Sequence, residues 1–406
     1  MATIPSADAL FTATSAICVN GLIVLDTGSV FSTFGQDIIM ILIQVGGLGF
    51  MTLGVMVAII LGKRIGLKQP LLIQQATNSS SAQGLVRLSL YIVLIAFEAL
   101  ATLVLTLRWH NELGWGQALY YAVFHSVSAF NYAGFSLWSD SLSPFVGDPV
   151  VNLTVITLFI IGGLGYIVIV DLFRKRSWKK LSLHSKIVLI GSSSLYLAGF
   201  VTIFLLENWN PSTFADLTFG ERIWAALFQG TTPRSSGFNT IDIGSMLATS
   251  QFFMIILMFI GASSGGTGGG IKVNTFVVLV LATIQTFRGG GQIHAFERKI
   301  TEETVMRALA VVLSSLAFVL GIAILLSISE GILENHFLDV LFEATSAFST
   351  TGLSMGLTSE LSVSGKIIII FTMFAGRLGP LTLAFALAQK KRTSKIGYAE
   401  DHVLIG

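Results

Sequence analysis

The chain has 406 residues, of which 53% are hydrophobic and 11% are charged, and its mean hydropathy is +0.79. An ordinary soluble domain carries roughly 25% charged residues, so this composition excludes a soluble globular protein. A net charge of +2 provides no strongly basic face for nucleic acid, and a single cysteine excludes a disulfide framework and a thiolate zinc site. The composition therefore indicates a protein embedded in a lipid bilayer.

In chain order, seven apolar segments are long enough to cross roughly 30 Å of hydrocarbon at about 1.5 Å per helical residue. They lie at 37–61, 86–107, 151–172, 186–206, 252–287, 304–328 and 365–388. Four shorter amphipathic stretches lie at 7–16, 116–129, 221–231 and 338–347, and each is too short to span a bilayer. The pattern predicts an all-α integral membrane protein with four half-helices that enter the membrane part-way.

The four short stretches are copies of one motif. Residues 8–16 read DALFTATSA and residues 339–347 read DVLFEATSA, which are identical at seven of nine positions. The motif recurs as VFHSVSA at 123–129 and, more loosely, as LFQGTTP at 227–233. A glycine follows the motif phenylalanine by 10, 10, 9 and 10 residues, and these glycines are Gly21, Gly134, Gly237 and Gly352. Four copies of one structural unit fit this spacing.

A second glycine landmark repeats in phase with the first. Its first glycines are Gly46, Gly162, Gly261 and Gly376, which lie 25, 28, 24 and 24 residues further along the chain. Each unit therefore reads as outer helix, half-helix, extended glycine-bearing loop and inner helix. Because non-helical backbone is tolerated in a bilayer only where protein buries it or it lines a watery cavity, we expect four such loops to surround one central pore. The predicted repeats are 1–62 without an outer helix, 63–175, 176–288 with a broken inner helix, and 289–406 with the C-terminal tail.

The distribution of charge predicts the orientation of the chain. Eighteen of the 24 Lys and Arg residues lie in the connections between an inner helix and the next outer helix or in the C-terminal tail. The positive-inside rule makes that side, including the C-terminus, cytoplasmic. The opposite side holds 15 of the 22 acidic residues, which raise the local cation concentration within a Debye length of roughly 8 Å. The alternative is that these loops are charged only as in any membrane protein.

The extended loops after the half-helices are candidate cation sites. Each half-helix is expected to run inward from the outer surface, so its partly negative C-terminal end points at the loop that follows. The carbonyl oxygens of residues such as Val19, Asn20 and Gly21 can replace the water shell of a dehydrated cation, and the glycine permits the backbone conformation that this requires. Close helix packing or a plain turn explains a single glycine equally well, but four in register favour the cation site.

Four sequence segments resemble motifs of a known family: NGL at 20–22 with VLDTG at 24–28, HSVSAFNYAGF at 125–135, PRSSGFN at 233–239 and STTGL at 349–353. They are similar to the Trk/Ktr/HKT superfamily of potassium transporters, most closely to its KtrB-type ion-conducting membrane subunit, and the similarity covers nearly the whole chain. The resemblance implies a pseudo-fourfold channel-like fold in the bacterial plasma membrane that passes K⁺ inward, often with dependence on Na⁺. A Na⁺ or ammonium pathway on the same scaffold is the alternative. The implied K⁺-binding filter residues, acting through backbone carbonyls, are Val19, Asn20, Gly21, Tyr132, Ala133, Gly134, Ser235, Ser236, Gly237, Thr350, Thr351 and Gly352.

The resemblance also implies partners. These are a second copy of the subunit in a homodimer, and a cytosolic regulatory ring of KtrA type that binds ATP or ADP and docks on the cytoplasmic face. No covalent cofactor is implied, since K⁺ is the transported ion and Na⁺ is a candidate activator. The alternative to such docking is that basic loops such as 174–180 only fix the orientation of the chain in the membrane. The tail at 400–406 is less polar than a solvated end, and we expect it to reach into the dimer partner.

Two features depart from the family pattern. The family's first repeat opens with an outer helix, whereas no such helix precedes the first motif here. We expect a truncated chain or a misplaced start codon rather than a working seven-span pore, because the first half-helix would lose its packing partner. In addition, Asn20 occupies a position where the family usually has threonine, and the sequence predicts no particular effect on selectivity.

The third inner segment is interrupted at 261–270, where six of ten residues are glycine. Each glycine costs a helix roughly 1 kcal/mol relative to alanine, so an ordinary helix is not expected there. The phosphate-binding pattern G-x-x-x-x-G-K-[ST] is not matched. We therefore predict a flexible loop below the filter, which the resemblance implies is a gate, and a merely kinked helix is the alternative.

Arg377 is the second unusual feature inside a predicted span, since the equivalent positions are Gly47, Gly163 and Ala262. A charge near the middle of a membrane is costly and usually functional. Arg377 is predicted to form an electrostatic barrier beneath the filter and to hydrogen-bond the glycine-rich loop. The alternative is an arginine that satisfies backbone carbonyls and has no role in flux. The predicted gate comprises Gly261, Ala262, Ser263, Ser264, Gly265, Gly266, Thr267, Gly268, Gly269, Gly270, Lys272 and Arg377. For Lys272 the alternative is that its side chain only extends to the membrane surface and has no role in the gate.

The sequence offers little support for an enzyme. The six histidines show no metal-ligand spacing, and neither H-E-x-x-H nor G-x-S-x-G occurs. No enzymatic activity is therefore expected.

Overall fold

The computed structural model describes residues 4–60, 81–289, 292–332 and 336–379. Within these ranges the chain is helical apart from loops and one short antiparallel hairpin, β1 (His294–Ala295) with β2 (Arg298–Lys299). The helices are α1 (Ser6–Ile17), α2 (Thr27–Val30), α3 (Thr33–Ile60), α4 (Ser81–Leu113), α5 (Trp115–Phe130), α6 (Pro149–Leu164), α7 (Tyr166–Lys175), α8 (Leu183–Glu207), α9 (Phe219–Thr231), α10 (Ala248–Phe259), α11 (Val273–Phe287), α12 (Glu302–Glu330), α13 (Phe337–Ser349), α14 (Leu357–Glu360) and α15 (Val363–Leu378). The predicted all-α class is confirmed.

The four half-helices form at the predicted places. They are α1, α5, α9 and α13, and each begins and ends within two residues of its predicted bounds. Local chemistry fixes where α9 starts, because Thr218 and Glu221 form a reciprocal capping box in which each side chain accepts a hydrogen bond from the backbone of the other. The half-helices α5 and α9 follow the long helices α4 and α8 and pack against them.

The half-helices also pack in a cyclic order. The first, α1, contacts the last inner helix, α15, and α5 contacts the first inner helix, α3. In the same way α9 contacts α6 and α13 contacts α10. Each half-helix thus lies against the inner helix of the preceding repeat, and the last repeat closes onto the first. A partly buried ion pair reinforces this closure, since Lys366 Nζ on α15 lies 2.6 Å from Asp8 Oδ1 on α1.

Within the described residues, two helices are by length and composition suited to cross a membrane, Leu183–Glu207 and Glu302–Glu330. A bent pair, Pro149–Leu164 with Ile167–Lys175, is a third if it counts as one span. The apolar segment predicted at 151–172 is therefore bent in the structure rather than one straight helix. The two helices meet at an angle of 95° because Gly165 between them has a φ of +80°, which ends α6.

The third inner segment is broken where the glycines predict it. Helix α10 ends at Phe259, and α11 begins at Val273. The ends of the break are joined by a short parallel bridge between Ile260 and Ile271. Residues 261–270 lie between these two bridging residues and form no helix. The predicted boundary of repeats 1 and 2, the end of the span at 365–388 and the tail at 400–406 lie outside the described residues.

The second glycine landmark marks close contacts between an inner helix and the end of its half-helix. A β-carbon at Gly46, Gly162 or Gly376 would overlap the carbonyl oxygen of Ile17, Phe130 or Phe348, respectively. These carbonyls belong to equivalent positions, four residues before the loop glycines. Small residues let backbones approach closely in membrane helix pairs. The third repeat differs, because the atom nearest to a β-carbon at Gly261 is Gly269 O of the glycine-rich segment, at 2.1 Å.

We predict that Gly376→Ala lowers the thermal midpoint of the protein in detergent, because an overpacked contact typically costs about 1–3 kcal/mol. Gly321 in α12 is a matched control, since it is also within a helix but has open space at its β-carbon position. Gly321→Ala should leave the midpoint unchanged or raise it, because alanine is favoured over glycine in a helix by up to roughly 1 kcal/mol. Equal midpoints for the two variants would contradict the packing role of Gly376.

Candidate functional site

The loop after each half-helix begins with the same backbone conformation. The residue two positions before each loop glycine has a positive φ: 54° at Val19, 67° at Tyr132, 74° at Ser235 and 48° at Thr350. Such values are uncommon for residues other than glycine, and they are most unusual for a β-branched side chain. The loop glycines also have positive φ, with values of 94° at Gly21, 67° at Gly134, 78° at Gly237 and 84° at Gly352. All four segments therefore turn in the same way.

The four loop glycines meet at one place. A β-carbon at Gly134 would lie 2.7 Å from Gly237 Cα, and one at Gly237 would lie 2.5 Å from Thr351 O. One at Gly352 would lie 2.7 Å from Gly21 Cα, and one at Gly21 would lie 3.2 Å from Gly134 Cα. The nearest atom to a β-carbon at Gly21 is Ala133 O, at 2.3 Å, and at Gly352 it is Asn20 O, at 2.2 Å. Since real β-carbons essentially never lie under 3.0 Å from another heavy atom, no side chain fits at any of the four positions. Glycine is required both for space and for the positive φ.

The twelve predicted filter residues are brought together around this point. Ten of them are buried, and Gly134 and Gly352 are partly exposed. In three repeats the amide after the left-handed residue closes the half-helix: Asn20 N donates to Ser15 O at 2.8 Å, Ala133 N to Ser128 O at 2.8 Å, and Thr351 N to Ser346 O at 2.9 Å. The third repeat differs, because Ser236 N donates to Thr232 O at 3.1 Å.

The glycine-rich loop 261–270 lies directly against this cluster. Gly269 N donates a hydrogen bond of 2.8 Å to Thr350 Oγ1, and a β-carbon at Gly268 would lie 2.8 Å from Ser235 Cβ. On its other side Ser263 N donates to Gly163 O of α6 at 3.2 Å. The loop therefore contacts the third and fourth filter segments and the second inner helix.

Arg377 and Lys272 donate hydrogen bonds to carbonyl oxygens of this loop. Arg377 is 8% exposed, and its guanidinium donates to Thr267 O and, at 2.6 Å, to Gly46 O of α3. Lys272 Nζ donates to Gly268 O at 2.6 Å and to Gly269 O at 3.4 Å. The predicted hydrogen bond between Arg377 and the loop is therefore present, and Arg377 also joins the loop to the first inner helix.

Comparison with known proteins assigns the chain to a family. The family model described as TrkH, cation transport protein, matches residues 1–395. The chain belongs to the TrkH family of cation transport proteins. This is a family of transporters rather than of enzymes, and the resemblance inferred from the sequence motifs is confirmed.

Several relatives match this transporter over nearly its whole length. It is 46% identical to Ktr system potassium uptake protein B of Bacillus subtilis over 401 residues, which cover 98% of this chain and 89% of that protein. The protein of the same name from Vibrio alginolyticus is 45% identical over 405 residues, with coverage of 98% and 88%. Potassium/sodium uptake protein NtpJ of Enterococcus hirae is 36% identical over 404 residues, with coverage of 98% and 89%. The crystal structure of the potassium transporter TrkH from Vibrio parahaemolyticus has the same fold, with a TM-score of 0.73 at 19% identity over 95% of this chain and 79% of that one.

The sequence analysis missed a set of buried polar residues in the half-helices, three of which, in the second, third and fourth half-helices, hold the segment after the filter. The transporter has Thr12, His125, Gln229 and Glu343 directly after the four motif phenylalanines, and all four are buried. His125 Nε2 lies 3.1 Å from Ser136 Oγ, and Gln229 Nε2 donates to Ile241 O at 3.3 Å. Glu343 accepts hydrogen bonds from Thr358 Oγ1 and, at 2.9 Å, from Ser354 Oγ. A polar residue at one position of every motif copy is the signal that the sequence offered.

Asp26 joins the loops that follow the first and second filter segments. Its Oδ2 accepts hydrogen bonds from Ser139 Oγ at 2.5 Å and from Ser29 Oγ at 2.6 Å. Partial burial alone would raise the pKa of this carboxyl, but the hydrogen bonds from Ser139, Ser29 and Gly28 N hold its pKa below the ordinary value. Asp26 is therefore ionised at neutral pH and contributes negative charge beside the first two filter segments.

We predict that Glu343→Ala lowers the thermal midpoint, because it leaves the hydroxyls of Ser354 and Thr358 without their acceptor at a cost of about 1–3 kcal/mol. Glu343→Gln keeps one acceptor oxygen and should show a smaller loss. Glu360 is exposed on α14, so Glu360→Ala should leave the midpoint unchanged. Thermal unfolding of the purified transporter in detergent measures the midpoints of all three variants. A Glu343→Ala midpoint as high as that of Glu360→Ala would show that Glu343 does not stabilise the segment after the filter.

Proposed function

We propose that this transporter is the ion-conducting subunit of a bacterial potassium uptake system and passes K⁺ inward across the plasma membrane. The observation that carries this proposal is the cyclic meeting of Gly21, Gly134, Gly237 and Gly352, each two residues after a left-handed residue. Two relatives above 40% identity are named as potassium uptake proteins, which supports the choice of ion. The basic connections support a cytoplasmic C-terminus.

In the proposed pathway, K⁺ loses part of its water shell at the twelve filter residues and binds their backbone carbonyl oxygens. The C-terminal ends of α1, α5, α9 and α13 lead directly into the filter segments, so four partly negative helix ends stabilise the ion. The filter itself supplies no net charge, and the acidic outer rim raises the local cation concentration. Transport of this kind requires no enzymatic step and no covalent cofactor in this chain.

The proposed gate is the loop 261–270 together with Lys272 and Arg377. Its support is the position of the loop beside Ser235 and Thr350, and the donation of hydrogen bonds by both cations to loop carbonyls. In the closed state Arg377 holds Thr267, and its charge opposes the passage of a cation. Release of that hydrogen bond frees the loop to leave the pathway.

Dependence on Na⁺ and the alternative of a Na⁺ pathway both have a specific basis. A relative at 36% identity is named as a potassium/sodium uptake protein, and Asn20 departs from the family pattern in the first filter segment. We favour K⁺ as the transported ion because all four loop positions are glycine, and we propose Na⁺ as an activator.

We further propose two partners. One is a second copy of this chain, contacted by the tail at 400–406, and the other is a cytosolic ring that binds ATP or ADP. The relatives' designation as part of a Ktr system implies a further subunit. The basic segment at 174–180, exposed at Arg174, Lys179 and Lys180, is the proposed docking face.

We predict that Gly352→Ser lowers the ratio of K⁺ to Na⁺ flux by about tenfold or more, which corresponds to about 1.4 kcal/mol of differential binding. A β-carbon there would lie 2.7 Å from Gly21 Cα and displace the first filter segment. Gly356 is a matched control, because its φ is also positive, at 106°, but its β-carbon position is open. Flux of both ions into liposomes should therefore keep its ratio in Gly356→Ser. Unchanged selectivity in Gly352→Ser would contradict the filter assignment. Flux of Na⁺ alone in the parent would favour the alternative of a Na⁺ pathway.

We also predict that Arg377→Gln raises K⁺ flux in liposomes that contain this chain without a cytosolic partner. A hydrogen bond from a charged donor contributes about 1.5–3 kcal/mol, so its loss should shift the closed-to-open equilibrium by roughly tenfold or more. Arg307→Gln is the control, since Arg307 is an exposed residue paired with Glu303 on α12. Flux in a folded Arg377→Gln protein that is equal to or below that of Arg307→Gln would contradict the gate.

A further inference from the structure

Arg234 is a buried cation that the proposed pathway leaves unexplained. It directly precedes the filter residue Ser235 and is only 1% exposed, which makes it one of the largest fully buried side chains of the described residues. An ionised side chain inside a membrane protein is expensive, and it is usually retained for a function. Its surroundings therefore indicate what that function is.

The guanidinium of Arg234 links the outer helix of the third repeat to the broken inner helix. Nη1 donates to Ser192 O on α8 at 3.2 Å, and Nη2 donates to Gly261 O, the first residue of the glycine-rich loop, at 3.1 Å. The guanidinium carbon also lies 4.5 Å from the ring centroid of Tyr196, within the range of a cation–π contact. Its Nε has no hydrogen-bond acceptor among the described residues.

The other repeats have no cation at this position. The equivalent residues, each three before its loop glycine, are Cys18, Asn131 and Ser349. Asn131, for example, makes only hydrogen bonds typical of an amide, with Nδ2 at 2.7 Å from Gln44 Oε1 and at 2.9 Å from Val127 O. The charge thus belongs to the third repeat, the one whose inner helix is interrupted.

The inner-helix glycine of the third repeat has different nearest neighbours from those of the other repeats. In the other repeats an inner-helix glycine packs on the last turn of the half-helix, as Gly376 does on Phe348 O. Gly261 packs on Gly269 O of its own loop instead. The hydrogen bond from Arg234 to Gly261 O gives this repeat a side-chain link between the filter segment and the start of the loop.

We infer that Arg234 is a positioning residue that transmits the position of the glycine-rich loop to the third filter segment, an inference that rests on the proposed function. When the loop moves, Gly261 O moves with it, and the link through Arg234 displaces the neighbouring Ser235. Ser235 Oγ donates to Ser349 O at 3.1 Å, so the displacement reaches the fourth filter segment as well. Loop release and ion preference are therefore coupled through one side chain.

The test is a double-mutant cycle with Arg234→Gln and Arg377→Gln. Arg377 donates to Thr267 O of the loop and to Gly46 O of α3, so Arg377→Gln removes a hydrogen bond that holds the loop and leaves the bonds of Arg234 in place. The parent, both single variants and the double variant are compared in liposomes by their ratio of K⁺ to Na⁺ flux. They are also compared in detergent by the K⁺ and Na⁺ concentrations that half-maximally raise the thermal midpoint, which reports ion binding without transport.

We expect Arg377→Gln to shift the ion preference when Arg234 is present and to leave it unchanged in the Arg234→Gln background. The difference between the two backgrounds should be about threefold or more, the range of coupled residues. A merely structural Arg234 would instead lower the thermal midpoint and give equal shifts in both backgrounds, and that result would overturn the inference. If Arg234→Gln does not fold, the cycle is run with Arg234→Lys, which keeps the charge but cannot bridge Ser192 O and Gly261 O in the same planar geometry.

This experiment distinguishes a failure of the proposed function from a failure of the inference about Arg234. A parent that shows neither K⁺ flux nor K⁺-dependent stabilisation removes the proposed function and this inference with it. A parent that conducts K⁺ but gives equal shifts in both backgrounds removes only the coupling through Arg234.

Discussion

A lipid bilayer offers no hydrogen-bond partner to a backbone N–H or C=O group, and the rest of this structure depends on that constraint. The four half-helices end part-way, so the chain beyond them must be enclosed by protein. Each half-helix packs on the inner helix of the preceding repeat, and a residue in the left-handed conformation turns the chain at its end. The loops then meet around one point, where the backbone of one segment occupies the space that a neighbour's side chain would need. Glycine at Gly21, Gly134, Gly237 and Gly352 is the consequence.

The third repeat satisfies the same constraint by other means. Its inner helix is broken, and three cationic side chains, Arg234, Lys272 and Arg377, donate to carbonyl oxygens of residues 261–270. Hydrogen bonds from charged donors are roughly twice as strong as neutral ones. They also separate one at a time, whereas a helical ladder opens cooperatively. A segment held in this way is stable when closed and has few bonds to break when it moves.

The repeated features were predictable because the same constraint acts on each copy of the motif. The bounds of α1, α5, α9 and α13 and the position of the broken segment followed from spacing and glycine content alone. The bend after α6 did not, because hydropathy over 151–172 is insensitive to a single glycine whose φ is positive. Nor does any spacing rule connect Arg234 to a carbonyl 27 residues further on. The polar residue after each motif phenylalanine was visible, but its partners depend on how the chain returns after the filter.

The position of Arg377 separates two contributions to the proposed gate. Its hydrogen bonds include one to Thr267 in the loop and one to Gly46 on the first inner helix. If the loop withdraws, the bond to Gly46 keeps the guanidinium with the first repeat, so the steric obstruction leaves while the positive charge stays. An ion that has passed the filter then still meets that charge in a medium of low dielectric constant, where it acts strongly. Opening therefore removes a steric barrier, and the remaining electrostatic barrier must be offset by the partly negative ends of the half-helices and by water that enters the space the loop has left.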